Sequence, residues 1–128
     1  MSVENHGIKP TEAELTLLNI LWKMGPATVR QIHDSISQTQ KTGYTTVLKI
    51  LQIMHEKALV IRDESKRAHV YAPANSEMVT QSSLLKDLVS KAFDGSTSKL
   101  VMRALDESTS KQEIEDIRQL LNELEQQS

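Results

Sequence analysis

Two capping boxes with a Gly-Pro break between them do most to restrict what this chain can become. Thr11 is followed three residues on by Glu14, Thr28 by Gln31, and Gly25-Pro26 lies between the boxes. In each box the threonine hydroxyl accepts from the amide three residues later, whose own side chain returns to the threonine amide. A helix therefore starts after each threonine. Leu17, Leu18, Leu21 and Met24 recur at helical spacing after the first box. Gly25 is free to turn left-handed and Pro26 cannot continue a helix. The spacing predicts one helix over about Glu12 to Met24. A second, of roughly nine residues, has Val29, Ile32 and Ile36 as its apolar stripe.

The polar run Gln38 to Gly43 separates this pair from a third expected helix, about Tyr44 to Lys57, with Val47, Ile50, Leu51 and Met54 on its core side. The period then changes. Leu59 to Arg62 and Ala68 to Ala72 are short runs rich in β-branched residues around the polar turn Asp63 to Arg67, the pattern of a hairpin. Ala27-Thr28 is placed to add a short third strand at its edge, because the Gly-Pro before it favours extended backbone. Pro73-Ala74-Asn75 marks a boundary, and three more helices are expected, about Ser76 to Phe93, Thr97 to Leu105 and Lys111 to Gln126. Ser110 and Glu113 form a third capping box before the last of these. The expected organisation is a flexible tail over 1–9, a first domain over 10–75 and a helical domain over 76–128. The fold class is mainly α with a small β wing.

Three helices followed by a hairpin is the order of a winged helix-turn-helix. With one face of the third helix committed to the core, the other carries Tyr44, Thr45, Thr46, Leu48, Lys49, Gln52 and Ile53. Hydroxyls and an amide suit base edges or phosphates in a major groove, and Leu48 and Ile53 suit thymine methyl groups. Arg30, Lys41, Thr42, Arg62, Lys66 and Arg67 complete the candidate DNA-binding set, with Lys66 and Arg67 on the wing tip. The charge distribution agrees. From Arg30 to Pro73 there are seven Lys/Arg against four Asp/Glu, whereas 76–128 holds six against ten, so the formal net charge of −2 conceals a basic segment joined to an acidic one.

Composition removes most other classes. The 128 residues, 38% hydrophobic and 25% charged, describe a small globular chain with no room for a large catalytic cleft. Zero cysteines exclude disulfides, thiolate metal sites and cysteine nucleophiles. No nucleophile with a paired base, no glycine-rich phosphate loop and no metal-ligand spacing is visible, so neither an enzyme nor a cofactor or metal is expected. Aromatics at 3% leave little for stacking single-stranded bases. No apolar run approaches the roughly 18 residues of a membrane span, and Met1 to Pro10 has no signal-peptide core, so a cytoplasmic protein without membrane insertion is expected. His33, His55 and His69 are read as surface or core-edge histidines, Trp22 as a packing residue, Met24, Met54, Met78 and Met102 as core fill, and Glu113, Glu115 and Asp116 as a solvated helix face.

The segment Tyr44-Thr45-Thr46-Val47-Leu48-Lys49-Ile50-Leu51, continuing to Val60, the wing ending Arg67-Ala68-His69-Val70-Tyr71, and Phe93-Asp94-Gly95 before two helices resemble the penicillinase repressor family, the BlaI/MecI/CopY group. The resemblance covers about Pro10 to Leu124. It implies a dimeric winged-helix transcriptional repressor that reads an inverted-repeat duplex operator, with Thr45, Thr46 and Lys49 at positions facing DNA. It also implies control of β-lactam resistance or stress genes, with a sensor-protease pathway as a further partner. Three departures stand out. Leu48 and Ile53 replace residues often basic in the family. The copper-responsive branch's cysteine motif is absent. No Asn-Phe pair occurs for a protease to cut, the corresponding stretch being Val101-Met102-Arg103-Ala104.

The helical domain is too thin to bury a core alone, and its apolar residues Leu84, Leu85, Leu88, Phe93, Leu100, Ile114, Ile117, Leu120, Leu121 and Leu124 are expected to meet a second copy in a homodimer. The alternative to DNA binding is a winged helix that serves as a protein-protein interaction module without direct DNA contact.

Overall fold

A computed structural model describes residues 9–128, so the tail expected over 1–9 lies outside the described residues except for Lys9. In chain order the elements are α1 (Glu12–Met24), β1 (Ala27–Thr28), α2 (Val29–Ile36), α3 (Tyr44–Glu56), β2 (Val60–Asp63), β3 (Val70–Pro73), α4 (Glu77–Ala92), α5 (Thr97–Ala104) and α6 (Lys111–Gln127). Six helices and one small sheet match the mainly α class with a β wing. All three capping boxes form. The Glu14 amide donates to Thr11 Oγ1 at 3.2 Å and the Thr11 amide to Glu14 Oε1 at 2.9 Å. Thr28 with Gln31 and Ser110 with Glu113 repeat the arrangement. Gly25, at φ 87°, ends α1 by donating its amide to the Leu21 carbonyl at 2.8 Å.

The chain packs as two compact units, one ending at Leu85 and one running from Lys86 to Ser128. The division falls within α4, beyond the Pro73-Ala74-Asn75 turn.

In the first unit the sheet is antiparallel with order β1-β3-β2. Tyr71 of β3 sits opposite Ala27 on one side and Arg62 on the other. Tyr71 is buried with Leu17 and Leu21 of α1, Ile32 of α2, Val47, Leu51 and Met54 of α3 and Val60 of β2, so the wing is anchored in the same core as the helices. Trp22 packs against this core, as expected, and its indole donates to the Asn75 carbonyl at 3.1 Å. Of the four methionines read as core fill only Met54 is buried; Met24 is 46% exposed, and Met78 and Met102 are 74% exposed. The reason for Met24 is its place in the last turn of α1, directly before the Gly25-Pro26 break.

The junction of α3 and β2 is tight. The Leu59 amide donates to the Met54 carbonyl at 2.9 Å and the Ala58 amide to the His55 carbonyl at 3.1 Å, the paired bonds of a Schellman closure. Ala58 takes the left-handed position at φ 62°.

In the second unit Asp94 at φ 54° and Gly95 at φ 76° break the helical path before α5, which Ser96 caps through the Lys99 amide. Asp106 opens the turn to α6 by accepting from the Ser108 hydroxyl at 2.6 Å and the Ser108 amide at 2.9 Å. Those two bonds, the side-chain one first, hold its carboxyl below the usual carboxylate range. Val89 is the one buried residue this unit shows among the described residues, and α5 and α6 have none.

Candidate nucleic-acid interface

The core commitment of Val47, Leu51 and Met54 fixes which way α3 faces. At about 100° per residue, Thr45, Lys49, Gln52 and Ile53 form the outward crest, and all four are exposed. Tyr44 and Leu48 fall on one flank and Thr46 and Ile50 on the other. The contiguous strip expected from the sequence therefore has a crest and two unlike shoulders.

The Tyr44 shoulder faces the wing. Between them lies a groove of about 270 Å³ that brings together Arg30, Tyr44, Leu48, Gln52, Arg62 and Arg67. Thr28, Ala68 and His69 line it too. His69, read as a surface or core-edge histidine, is exposed and lies just before β3. Its place in the groove depends on the wing folding beside α3, for which it has no local sequence signal. The Thr46 shoulder looks the other way, where Thr42 and Thr46 border a cleft of about 420 Å³ shared with Glu12, Thr16, Gln40 and Ile50.

The cations differ in how much charge they can offer an outside anion. Lys41, Lys49 and Arg67 are exposed and have no ion-pair partner among the described residues. Arg30 places its guanidinium carbon 5.2 Å from the Tyr44 ring centroid, a cation-π contact that pre-orients it beside the N-terminus of α3. Arg62 is committed within the wing. Its Nη2 lies 2.6 Å from Glu64 Oε2 and its Nε donates to the same oxygen at 2.7 Å. The Tyr71 hydroxyl and then Glu64 hold the guanidinium pKa above its ordinary value, and Arg62 in turn holds the Glu64 carboxyl below the usual range. Arg62 thus braces the wing, leaving Lys66 and Arg67 exposed in the turn beyond it, Lys66 beside the Asp63 carboxylate and Arg67 open. The turn is shaped by Asp63, which accepts from the Ser65 amide at 2.9 Å; that bond leads the causes that lower its pKa.

The N-terminus of α3 is also open. Gly43 is the N-cap and supplies no side-chain hydrogen bond, so the amides of the first turn point outward uncapped. Such amides, with the helix dipole behind them, favour an anion.

The residues expected to pair two copies divide by exposure. Leu84, Phe93, Leu100 and Ile117 are half-buried, whereas Leu85, Leu88, Ile114, Leu120, Leu121 and Leu124 are exposed. On α6 the exposed leucines recur at the spacing of a helix seam. No helix among the described residues is long and apolar enough to cross a membrane.

A three-helix unit with a β wing, an outward polar crest on its third helix and open cations beside it defines the winged-helix class. The chain belongs to the penicillinase repressor family, whose family model matches residues 10–123. It is 31% identical over 115 residues to the transcriptional regulator BlaI of Mycobacterium tuberculosis (strain ATCC 25618 / H37Rv), covering 89% of this chain and 83% of that one. It is 22% identical over 121 residues to the penicillinase repressor of Staphylococcus aureus, covering 94% and 96%. The methicillin resistance regulatory protein MecI of Staphylococcus epidermidis is also 22% identical, over 94% and 98%. These relatives carry the names of regulators and repressors, not of enzymes.

Proposed function

We propose that this chain is a transcriptional repressor that binds an inverted-repeat duplex operator as a homodimer. In this reading residues 10–75 bind DNA and 76–128 pair the two copies. The crest of α3, Thr45, Lys49, Gln52 and Ile53, lies in a major groove. Lys66 and Arg67 of the wing, Arg30, Lys41 and the open amides of α3 take phosphates. The single observation that carries the reading is the shared groove of α3 and wing, where an uncapped helix start, a pre-oriented Arg30 and an unpaired Arg67 converge.

Sequence is read by groups that reach base edges, and affinity comes from neutralised phosphates. A salt-dependent shift of duplex DNA in a gel, followed by footprinting of the DNA upstream of the coding region, tests the reading. A protected pair of half-sites one or more helical turns apart is expected. Absence of any duplex binding at low salt overturns DNA binding and favours a protein-interaction module.

The target genes in this reading are those of β-lactam resistance, as the names of the penicillinase and methicillin-resistance relatives suggest, or of stress. Repression ends when the two half-site contacts are unlinked, because the dimer supplies the effective concentration that holds both. Cleavage in α5 would achieve this, and Val101 and Met102 are exposed there. Induction with no loss of the intact chain after β-lactam treatment overturns cleavage and points to another signal.

A further inference from the structure

His33 of α2 reaches across the turn that leads into α3. Its Nε2 lies 2.8 Å from the Thr42 carbonyl oxygen and 3.3 Å from the Ser37 hydroxyl. The ring stands edge-on to Tyr44, with centroids 5.9 Å apart and planes at 70°. A carbonyl oxygen only accepts, so Nε2 carries the proton and Nδ1 presents a lone pair. Nδ1 is buried and has no hydrogen-bond partner among the described residues; Asp34 Oδ1, at 3.7 Å, is beyond hydrogen-bond reach. Tyr44 in turn carries Arg30 on its face. One imidazole therefore joins the turn, the first residue of α3 and a cation of the groove.

One feature separates this from an ordinary structural tie. Gly43 gives α3 no side-chain cap, so the placement of its first turn depends on neighbours, and Thr42 is the residue immediately before that cap. The groups facing the ring are Arg30 and Asp34 from α2, Ser37 and Thr42 from the turn, and Tyr44 from α3.

We propose that His33 is a positioning residue for DNA binding, a brace that holds the turn before α3 and Tyr44 in the DNA-facing arrangement. The inference rests on the DNA-binding reading above.

The test uses a duplex selected from a randomised pool for tightest binding by the wild-type chain, with affinity measured at pH 7.5 and constant ionic strength. His33→Gln, whose amide can donate to Thr42, is expected to bind within about threefold of wild type. His33→Leu, lacking the donor, is expected to bind about tenfold more weakly. Long-range nitrogen NMR of the free wild-type chain, which needs no variant to fold, is expected to find the His33 proton on Nε2 at pH 7.5. A proton on Nδ1, a loss in His33→Gln as large as in His33→Leu, or wild-type affinity in His33→Leu overturns the inference while leaving DNA binding intact. A wild-type chain that captures no duplex overturns the DNA-binding reading and this inference with it.

Discussion

Lys57 Nζ lies 2.7 Å from Glu14 Oε1, so the residue that closes α3 is tied to the residue that completes the capping box of α1. Glu14 is 4% exposed and accepts from the Thr11 amide through the same oxygen. Burial pushes its carboxyl up, but the Lys57 ammonium and the Thr11 amide outweigh it, and the net pKa falls below the ordinary 4.5. A carboxyl lowered in the fold contributes stability that is complete above its unfolded pKa and is lost as pH falls through the folded value. Urea midpoints are therefore expected to fall steeply below about pH 4.5 in wild type. In Lys57→Met the unfolding free energy starts lower, by about 1–3 kcal/mol at pH 7, and the acid slope flattens, because Glu14 remains buried without its cation. An unchanged acid slope in Lys57→Met would show that the pair does not set it.

Ala58 occupies a left-handed position that costs a residue with a Cβ roughly 1–2 kcal/mol, and glycine avoids that cost while losing more chain entropy on folding. Ala58→Gly is expected to raise stability by about 0.5–1 kcal/mol. The measurement is the denaturant midpoint at unchanged slope. A fall in midpoint would mean that something other than backbone strain governs the α3–β2 junction.

The crest and the wing should separate by what they do to specificity. Lys66→Ala with Arg67→Ala is expected to weaken a selected and a random duplex alike and to reduce the salt slope by about one unit per lost phosphate contact. Thr45→Ala and Gln52→Ala, on the crest, are expected to reduce the preference for the selected duplex by roughly 1–3 kcal/mol where each makes a good base contact. Thr46, on the shoulder toward α1, is expected to matter less than Thr45. A selected-to-random ratio unmoved by both crest variants would remove the crest from the interface.

The helices were legible because their signals are local. A capping box, a Gly-Pro stop and a 3.6-residue stripe are each complete within one segment, and Thr11, Thr28 and Ser110 do what their spacing requires. The unread parts depend on partners distant in sequence or on backbone. Arg62 counts as an open cation in the sequence until Tyr71 meets it across the wing and Glu64, two residues on, folds back onto it. His33 is read only as a surface or core-edge histidine until the turn brings the Thr42 carbonyl to it. Met24, Met78 and Met102 satisfy a hydrophobic pattern, yet pattern alone does not say which apolar residues find a neighbour.

That last distinction bears most on α6. Its Leu120, Leu121 and Leu124 are each about half exposed. Apolar surface kept in water forfeits roughly 25 cal/mol per Å² of burial, so a matching face on a second copy is the economical cover. Leu121→Asp puts an unpaired charge into such a seam at a cost of several kcal/mol. Sedimentation at micromolar concentration is expected to show a dimer for wild type and a monomer for Leu121→Asp, with α1 to β3 still folded by their core. The variant is also expected to lose about a hundredfold or more in affinity for a two-half-site duplex and little for a single half-site, because only linkage is removed. A wild-type monomer under these conditions would overturn the homodimer and, with it, the expectation of an inverted-repeat site.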